Sequence, residues 1–99
     1  MQQQWHLMKG NVLLGRLTGG RVDQPFYIYD FKREPAFDDY EPLFAAELRS
    51  LNKDDMNAWV RDYQRIENLG LTLVAPDGAA IVSEFILHVD NREAWFRIA

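Results

Sequence analysis

The strongest constraint on the fold is the alternation of side chains in the carboxyl-terminal residues 81–99. We predict that this segment forms a β-hairpin with its turn at Asn91 and Arg92. The cross-strand pairs that follow are Asp90 with Glu93, His88 with Trp95, and Ile86 with Arg97. Successive side chains of a strand point to opposite sides, so the hairpin has two unlike faces. The face predicted to be buried comprises Phe85, Leu87, Val89, Ala94, Phe96 and Ile98.

The opposite face of the hairpin mixes charged, aromatic and imidazole side chains. Its members are Glu84, Ile86, His88, Asp90, Trp95 and Arg97. These residues are the candidates for function, because nothing else in the chain brings so many chemically distinct groups onto one surface.

Strand-like segments also precede the middle of the chain, at residues 5–8, 12–18 and 26–31, where aromatic and aliphatic residues favour strands. Turns are predicted at residues 9–11 and at Gly19 and Gly20, because glycine tolerates positive φ. Gly15, inside a strand, predicts a bulge or a close approach of the backbone.

Apolar residues then change to helical spacing, which predicts one helix from about residue 40 and a second over residues 53–69. Asp38 is the predicted N-cap of the first helix and Asn52 of the second. Gly70 is placed to end the second helix. A strand at residues 71–75 leads through a turn at 76–78 into the closing hairpin.

The predicted order is therefore β-β-β-α-α-β-β-β, in a single α+β domain over residues 1–99. Each helix has one apolar stripe and needs one buried side. We expect an antiparallel sheet with both helices packed on one face, since such a sheet can leave its other face in water. The face with Glu84, His88, Trp95 and Arg97 would then be uncovered.

Composition narrows the classes of partner. The chain has 11 Lys and Arg against 15 Asp and Glu, a net charge of −4. A phosphate backbone repels such a domain unless its cations cluster, and Lys32-Arg33 is the only adjacent basic pair. No nucleic-acid partner is expected. The absence of cysteine excludes disulfides and thiolate metal sites, and no cofactor or metal is predicted.

The sequence also bears on location. No segment approaches the ~18 apolar residues of a membrane span. The first residues lack the basic start and apolar run of a signal peptide. We therefore expect a cytoplasmic protein with no membrane partner.

His88 and Asp90 admit an enzymatic interpretation. They lie two positions apart on one strand face, so their Cα atoms should be about 7 Å apart. A carboxylate there could orient the imidazole, for general-base catalysis or as a second metal ligand. With Glu93 across the turn, this would be a small hydrolase or a metal-dependent enzyme. The simpler interpretation is that these residues are polar because they face water.

Trp95 and Arg97 suggest a different role, because aromatic and arginine side chains are enriched at protein interfaces. Cross-strand stabilisation of a solvated sheet would explain them as well. If the face is an interface, the residues that form it are Trp95, Arg97, His88, Ile86 and Glu84.

Four segments resemble a family of small bacterial proteins that has no assigned activity. They are PAF at 35–37, PLFAAEL at 42–48, EFILHVD at 84–90 and EAWFR at 93–97. The resemblance implies a stand-alone bacterial domain, and it assigns no activity and no site residue.

These features predict a non-enzymatic cytoplasmic domain that works through protein contacts, as a homodimer or with another protein partner. The enzyme built on His88, Asp90 and Glu93 is the alternative. A third possibility is a small-molecule binding module, in a cleft between the helices and the connection at residues 32–37.

Overall fold

The computed structural model describes residues 3–99 and confirms the predicted class and element order. Seven antiparallel strands within these residues form one curled sheet, accompanied by two α-helices. The strands are β1 (Trp5–Lys9), β2 (Val12–Asp23), β3 (Phe26–Arg33), β4 (Leu71–Val74), β5 (Ile81–Val82), β6 (Phe85–Asp90) and β7 (Glu93–Ile98). The helices are α1 (Glu41–Asn52) and α2 (Met56–Glu67), preceded by a 3₁₀ helix at Pro35–Asp39.

The strand order in the sheet is β5-β4-β1-β2-β3-β7-β6. Its two edge strands, β5 and β6, are joined by only Ser83 and Glu84. Three trans peptide units span at most about 11 Å between Cα atoms, so the end of β5 and the start of β6 must lie close together. The curled sheet is therefore an incomplete barrel, and we call the gap between β5 and β6 the seam.

Two glycines of β2 allow the sheet to curl tightly. A Cβ on Gly15 would lie 2.5 Å from the ring of Phe31, and one on Gly20 would lie 2.4 Å from the ring of Tyr29. The β1–β2 pairing shifts register opposite Gly15, as predicted for this glycine. At both positions, the ring of a core aromatic residue packs directly against the glycine backbone.

The predicted turn at Gly19 and Gly20 is wrong. β2 continues through both residues to Asp23, and its register against β3 shifts between Thr18 and Arg21. Gly19 has a φ of +65°, which serves a β-bulge as well as it serves a turn. The chain reverses later, between Asp23 and Phe26.

The closing hairpin has the predicted register, with His88 opposite Trp95 and Ile86 opposite Arg97. Its apolar face joins the core of the curled sheet. Tyr29 stacks on Phe96 with ring centroids 5.8 Å apart, and Trp5 Nε1 donates a hydrogen bond of 3.1 Å to the Tyr29 hydroxyl. Aromatic side chains thus share the interior with aliphatic ones.

The helix caps differ from the prediction. Asp38 belongs to the 3₁₀ helix and binds Arg33 at 2.8 Å, while Tyr40 occupies the N-cap position of α1. Asp55, rather than Asn52, caps α2 by accepting a hydrogen bond of 3.1 Å from the Ala58 N–H. The preference of N-caps for Asp and Asn does not distinguish Asn52 from Asp55, and it does not favour Tyr40, which makes no side-chain cap hydrogen bond.

Helix α2 covers the seam of the barrel. The Tyr63 hydroxyl accepts a hydrogen bond of 2.8 Å from Leu87 N–H and lies 3.3 Å from the Phe85 carbonyl, to which it donates. Tyr63 and Ile66 also line a cavity of about 60 Å³ together with Leu71 of β4 and Phe85 of β6. One face of α2 therefore lies against β6 and the start of β4. No helix in the described part of the chain is both long and apolar enough to cross a membrane.

Candidate functional site

His88, the centre of the predicted functional face, is buried. Its exposed fraction is 4%, and that of Glu47 in α1 is 0%. His88 Nδ1 lies 3.0 Å from Oε1 and 2.9 Å from Oε2 of Glu47. Because a carboxylate accepts hydrogen bonds, Nδ1 is the donor. This corrects the interpretation of His88 as a residue that faces water.

Glu47 connects three elements through its carboxylate. Trp59 Nε1 in α2 donates a hydrogen bond of 2.7 Å to Oε2, while the contact with His88 reaches β6. One turn further along α1, the Ser50 hydroxyl donates to Asp62 of α2. A buried carboxylate is costly unless it is paired and hydrogen-bonded. The two donors explain why Glu47 is stable in the interior.

The predicted grouping of His88, Asp90 and Glu93 is not formed. Nδ1 of His88 is bound to Glu47 instead of Asp90, and Glu93 forms an ion pair of 2.9 Å with Arg21. Within residues 3–99, no three or more His, Asp or Glu side chains are placed to hold a metal ion. In place of the alternative site built on His88, Asp90 and Glu93, the structure shows a pair of His88 with Glu47.

The second ring nitrogen of His88, Nε2, has no hydrogen-bond partner within residues 3–99. Every fully buried side-chain nitrogen or oxygen in the described residues has a hydrogen-bond partner. Nε2 has none there, so it is not fully buried. With Nδ1 protonated against a carboxylate, Nε2 of the neutral ring is a proton acceptor. The pair can thus orient an imidazole, as in general-base sites.

Above His88, partly exposed apolar side chains cover the outer face of β3, β7 and β6. We call this set the outer patch, and its members are Phe26, Ile28, Ile86 and Trp95. Ile28 pairs with Trp95 across β3 and β7. The rings of Phe26 and Trp95 lie 6.2 and 5.4 Å from the His88 ring. The outer patch is therefore continuous, and the buried His88 ring lies beneath it.

Charged residues flank the outer patch at both ends. Asp90 lies at the turn of the hairpin, while Arg97 and Glu84 lie at its open end. All three are exposed, and none of them forms an ion pair within residues 3–99. The predicted interface residues Trp95, Arg97, Ile86 and Glu84 thus share one surface, and His88 lies beneath it.

A groove of about 560 Å³ runs between α2 and the start of β6. Its lining residues are Trp59, Val60, Tyr63, Gln64, Glu67, Ser83, Glu84, Phe85, Ile86 and Ala99. Trp59 and Tyr63 form a stacked pair in its wall, with centroids 5.3 Å apart. The groove has the size of a ligand pocket, and its lining is mostly apolar with a few polar groups.

The electrostatics of the groove are visible at Tyr63. Burial raises the pKa of its hydroxyl to about 12, although the hydrogen bond with Leu87 opposes the change. The negative charges of Glu47 and Glu67 raise this pKa further, and Arg97 lowers it. Two of the three neighbouring charges therefore disfavour a phenolate.

A second cavity, of about 280 Å³, borders the connection at residues 32–37 and α1, but not α2, so it matches the predicted binding cleft only in part. It is lined by Arg33, Phe37, Glu41, Phe44, Ala45, Leu48, Val89, Asp90 and Asn91. The guanidinium of Arg33 is already bound by Asp38 and Glu41. The one positively charged side chain that lines this cavity is thus engaged within the protein.

Sequence reasoning missed Glu47, Trp59 and the groove. The available signal was Glu47 itself, because it follows Phe44 by three positions on the apolar stripe of α1. A carboxylate at such a position needs a buried partner. Nothing local identifies that partner as His88, which is 41 residues away.

Comparison with known proteins matched this chain to no protein family, no curated protein and no solved structure. The resemblance to small bacterial proteins stays a prediction.

Proposed function

We propose that the protein is a non-enzymatic cytoplasmic interaction domain that forms a homodimer through the outer face of β3, β7 and β6. The observation that supports this proposal is the outer patch, in which Phe26, Ile28, Ile86 and Trp95 are contiguous and partly exposed. Contiguous apolar surface is where soluble proteins bind partners. Aromatic residues with an adjacent arginine are typical of interface centres.

The distribution of charge favours a second copy of the chain as the partner. Asp90 is at one end of the outer patch and Arg97, together with Glu84, at the other, with apolar side chains between them. A two-fold axis through the patch would bring Arg97 of each copy towards Asp90 of the other. Such a surface is complementary to itself, as a two-fold interface requires.

Charge reversal gives the sharpest test of this dimer. Arg97→Asp and Asp90→Arg should each weaken dimerisation at least about tenfold, since like charges would meet across the interface. The double variant should restore it, because the pair is then only exchanged. Sedimentation equilibrium over a range of concentrations measures the dissociation constant.

Lys53→Glu is the matched control, because it reverses an exposed charge outside the outer patch. Trp95→Ala should also weaken the dimer, but it uncovers His88 and is therefore less selective. A wild-type chain that is monomeric throughout would refute the proposal. Single variants that behave like Lys53→Glu would refute it too.

A further inference from the structure

We propose that the groove between α2 and β6 binds a small organic cation, namely an ammonium group carried on an apolar or aromatic body. This goes beyond the proposed dimer, because the occupant is a small molecule and the site faces α2. The inference rests on the shape of the groove, its aromatic wall and the charges at its rim.

The apolar lining suits the body of such a ligand. Trp59, Tyr63 and Phe85 supply aromatic surface, and Val60 on α2 is 57% exposed although it is apolar. A volume of about 560 Å³ is within the range of sites that enclose small organic molecules. An exposed valine beside partly covered aromatic rings is surface that a ligand can remove from water.

The charges at the rim suit an ammonium group. Glu67 and Glu84 both line the groove, and neither forms an ion pair within residues 3–99. Arg97 lowers the pKa of Tyr63 while Glu47 and Glu67 raise it, so with Glu84 the groove and its surroundings carry three negative charges against one positive. Aromatic faces attract cations as well. The carboxylates and the aromatic rings therefore both favour a positively charged ligand.

A matched series of probes separates charge from shape. Phenethylamine, phenethyl alcohol and phenylpropionate share a phenyl ring and differ in the charge of their polar end. We expect the amine to bind at least about fivefold more tightly than the alcohol, and the carboxylate to bind most weakly. Nuclear magnetic resonance can follow the indole N–H signals, and the signal of Trp59 should shift more than those of Trp5 and Trp95.

Two variants locate the site. Glu67→Gln should reduce amine affinity about fivefold and leave alcohol affinity unchanged, while Asp39→Asn, outside the groove, should change neither. Val60→Lys places a competing cation in the groove from an exposed helix position, and it should abolish amine binding without unfolding the protein. Trp95→Ala should retain binding, which keeps this test independent of dimerisation.

Equal affinity for amine and alcohol would overturn the proposal. So would the absence of any Trp59 shift with all three probes, or amine binding that survives Val60→Lys.

Discussion

The carboxylate of Glu47 has no exposed surface, and its neighbours determine whether it stabilises the fold. Removing an ion from water costs several kcal/mol, which only well-placed partners offset. Here Trp59 donates to one oxygen, and Nδ1 of His88 lies within 3.0 Å of both. The three side chains therefore act as a unit that attaches α1 and α2 to β6.

Loss of that carboxylate should be costly. Glu47→Leu leaves the Trp59 N–H and the His88 Nδ1–H without an acceptor, so the free energy of unfolding should fall by about 3 kcal/mol. Arg49→Leu, at an exposed position of the same helix, should change it by less than about 0.5 kcal/mol. Urea denaturation measures both, and equal values would contradict the role assigned to Glu47.

At the scale of elements, α2 satisfies backbone hydrogen-bonding groups along the free edge of β6. An edge strand leaves backbone N–H and C=O groups unpaired, which invites pairing with other chains. The Tyr63 hydroxyl contacts two such groups, Leu87 N–H and the Phe85 carbonyl. A side chain thus takes the place of a neighbouring strand at this part of the seam.

The burial of Tyr63, which raises the pKa of its hydroxyl, predicts that the stability of the fold depends on pH under alkaline conditions. The folded-state pKa of Tyr63, about 12, is above the ordinary value of 10.0. The stabilisation of the fold that depends on a neutral Tyr63 hydroxyl is complete below pH 10. It is lost as the pH rises through about 12, and the free energy of unfolding then falls by on the order of 2–3 kcal/mol. Denaturation at increasing pH should show this decline in the wild type and not in Tyr63→Phe. Parallel curves would show that Tyr63 does not carry the effect.

The curl of the whole sheet depends on the two bare backbone positions of β2. Phe31 and Tyr29 occupy the space in which side chains at Gly15 and Gly20 would stand. The Tyr29 ring cannot move away easily, because it is buried and its hydroxyl is bound by Trp5. The absence of a side chain at Gly15 and Gly20 is thus linked to the curvature of the whole sheet.

Gly20→Ala should therefore lower the free energy of unfolding by about 1–3 kcal/mol, through overpacking against Tyr29. In a Tyr29→Leu background the same change should cost much less, because the ring is gone. A double-mutant cycle by urea denaturation measures this coupling. Additive effects would place the cost of Gly20→Ala somewhere other than the contact with Tyr29.

The local features of the fold were predictable, and the closure of the sheet was not. Alternation and a two-residue turn specify the register between His88 and Trp95, and glycine in a strand indicated the bulge at Gly15. The bulge at Gly19 was mistaken for a turn, because both conformations favour glycine. The contact between Glu47 and His88 depends on packing across 41 residues, which no periodicity reports.

The position of β7 has a consequence for the order in which the sheet can form. The seventh strand of the described residues, β7, lies inside the sheet between β3 and β6 and pairs Phe96 with Tyr27. Ribosomes make a chain from its amino end, so β3 and β6 are made before β7, the strand that pairs with both of them. Until residues 93–98 emerge, each exposes an unpaired side that another nascent chain could occupy. Assembly of the sheet is thus delayed until residues 93–98 have been made, when β7 pairs with β3 and β6 at once.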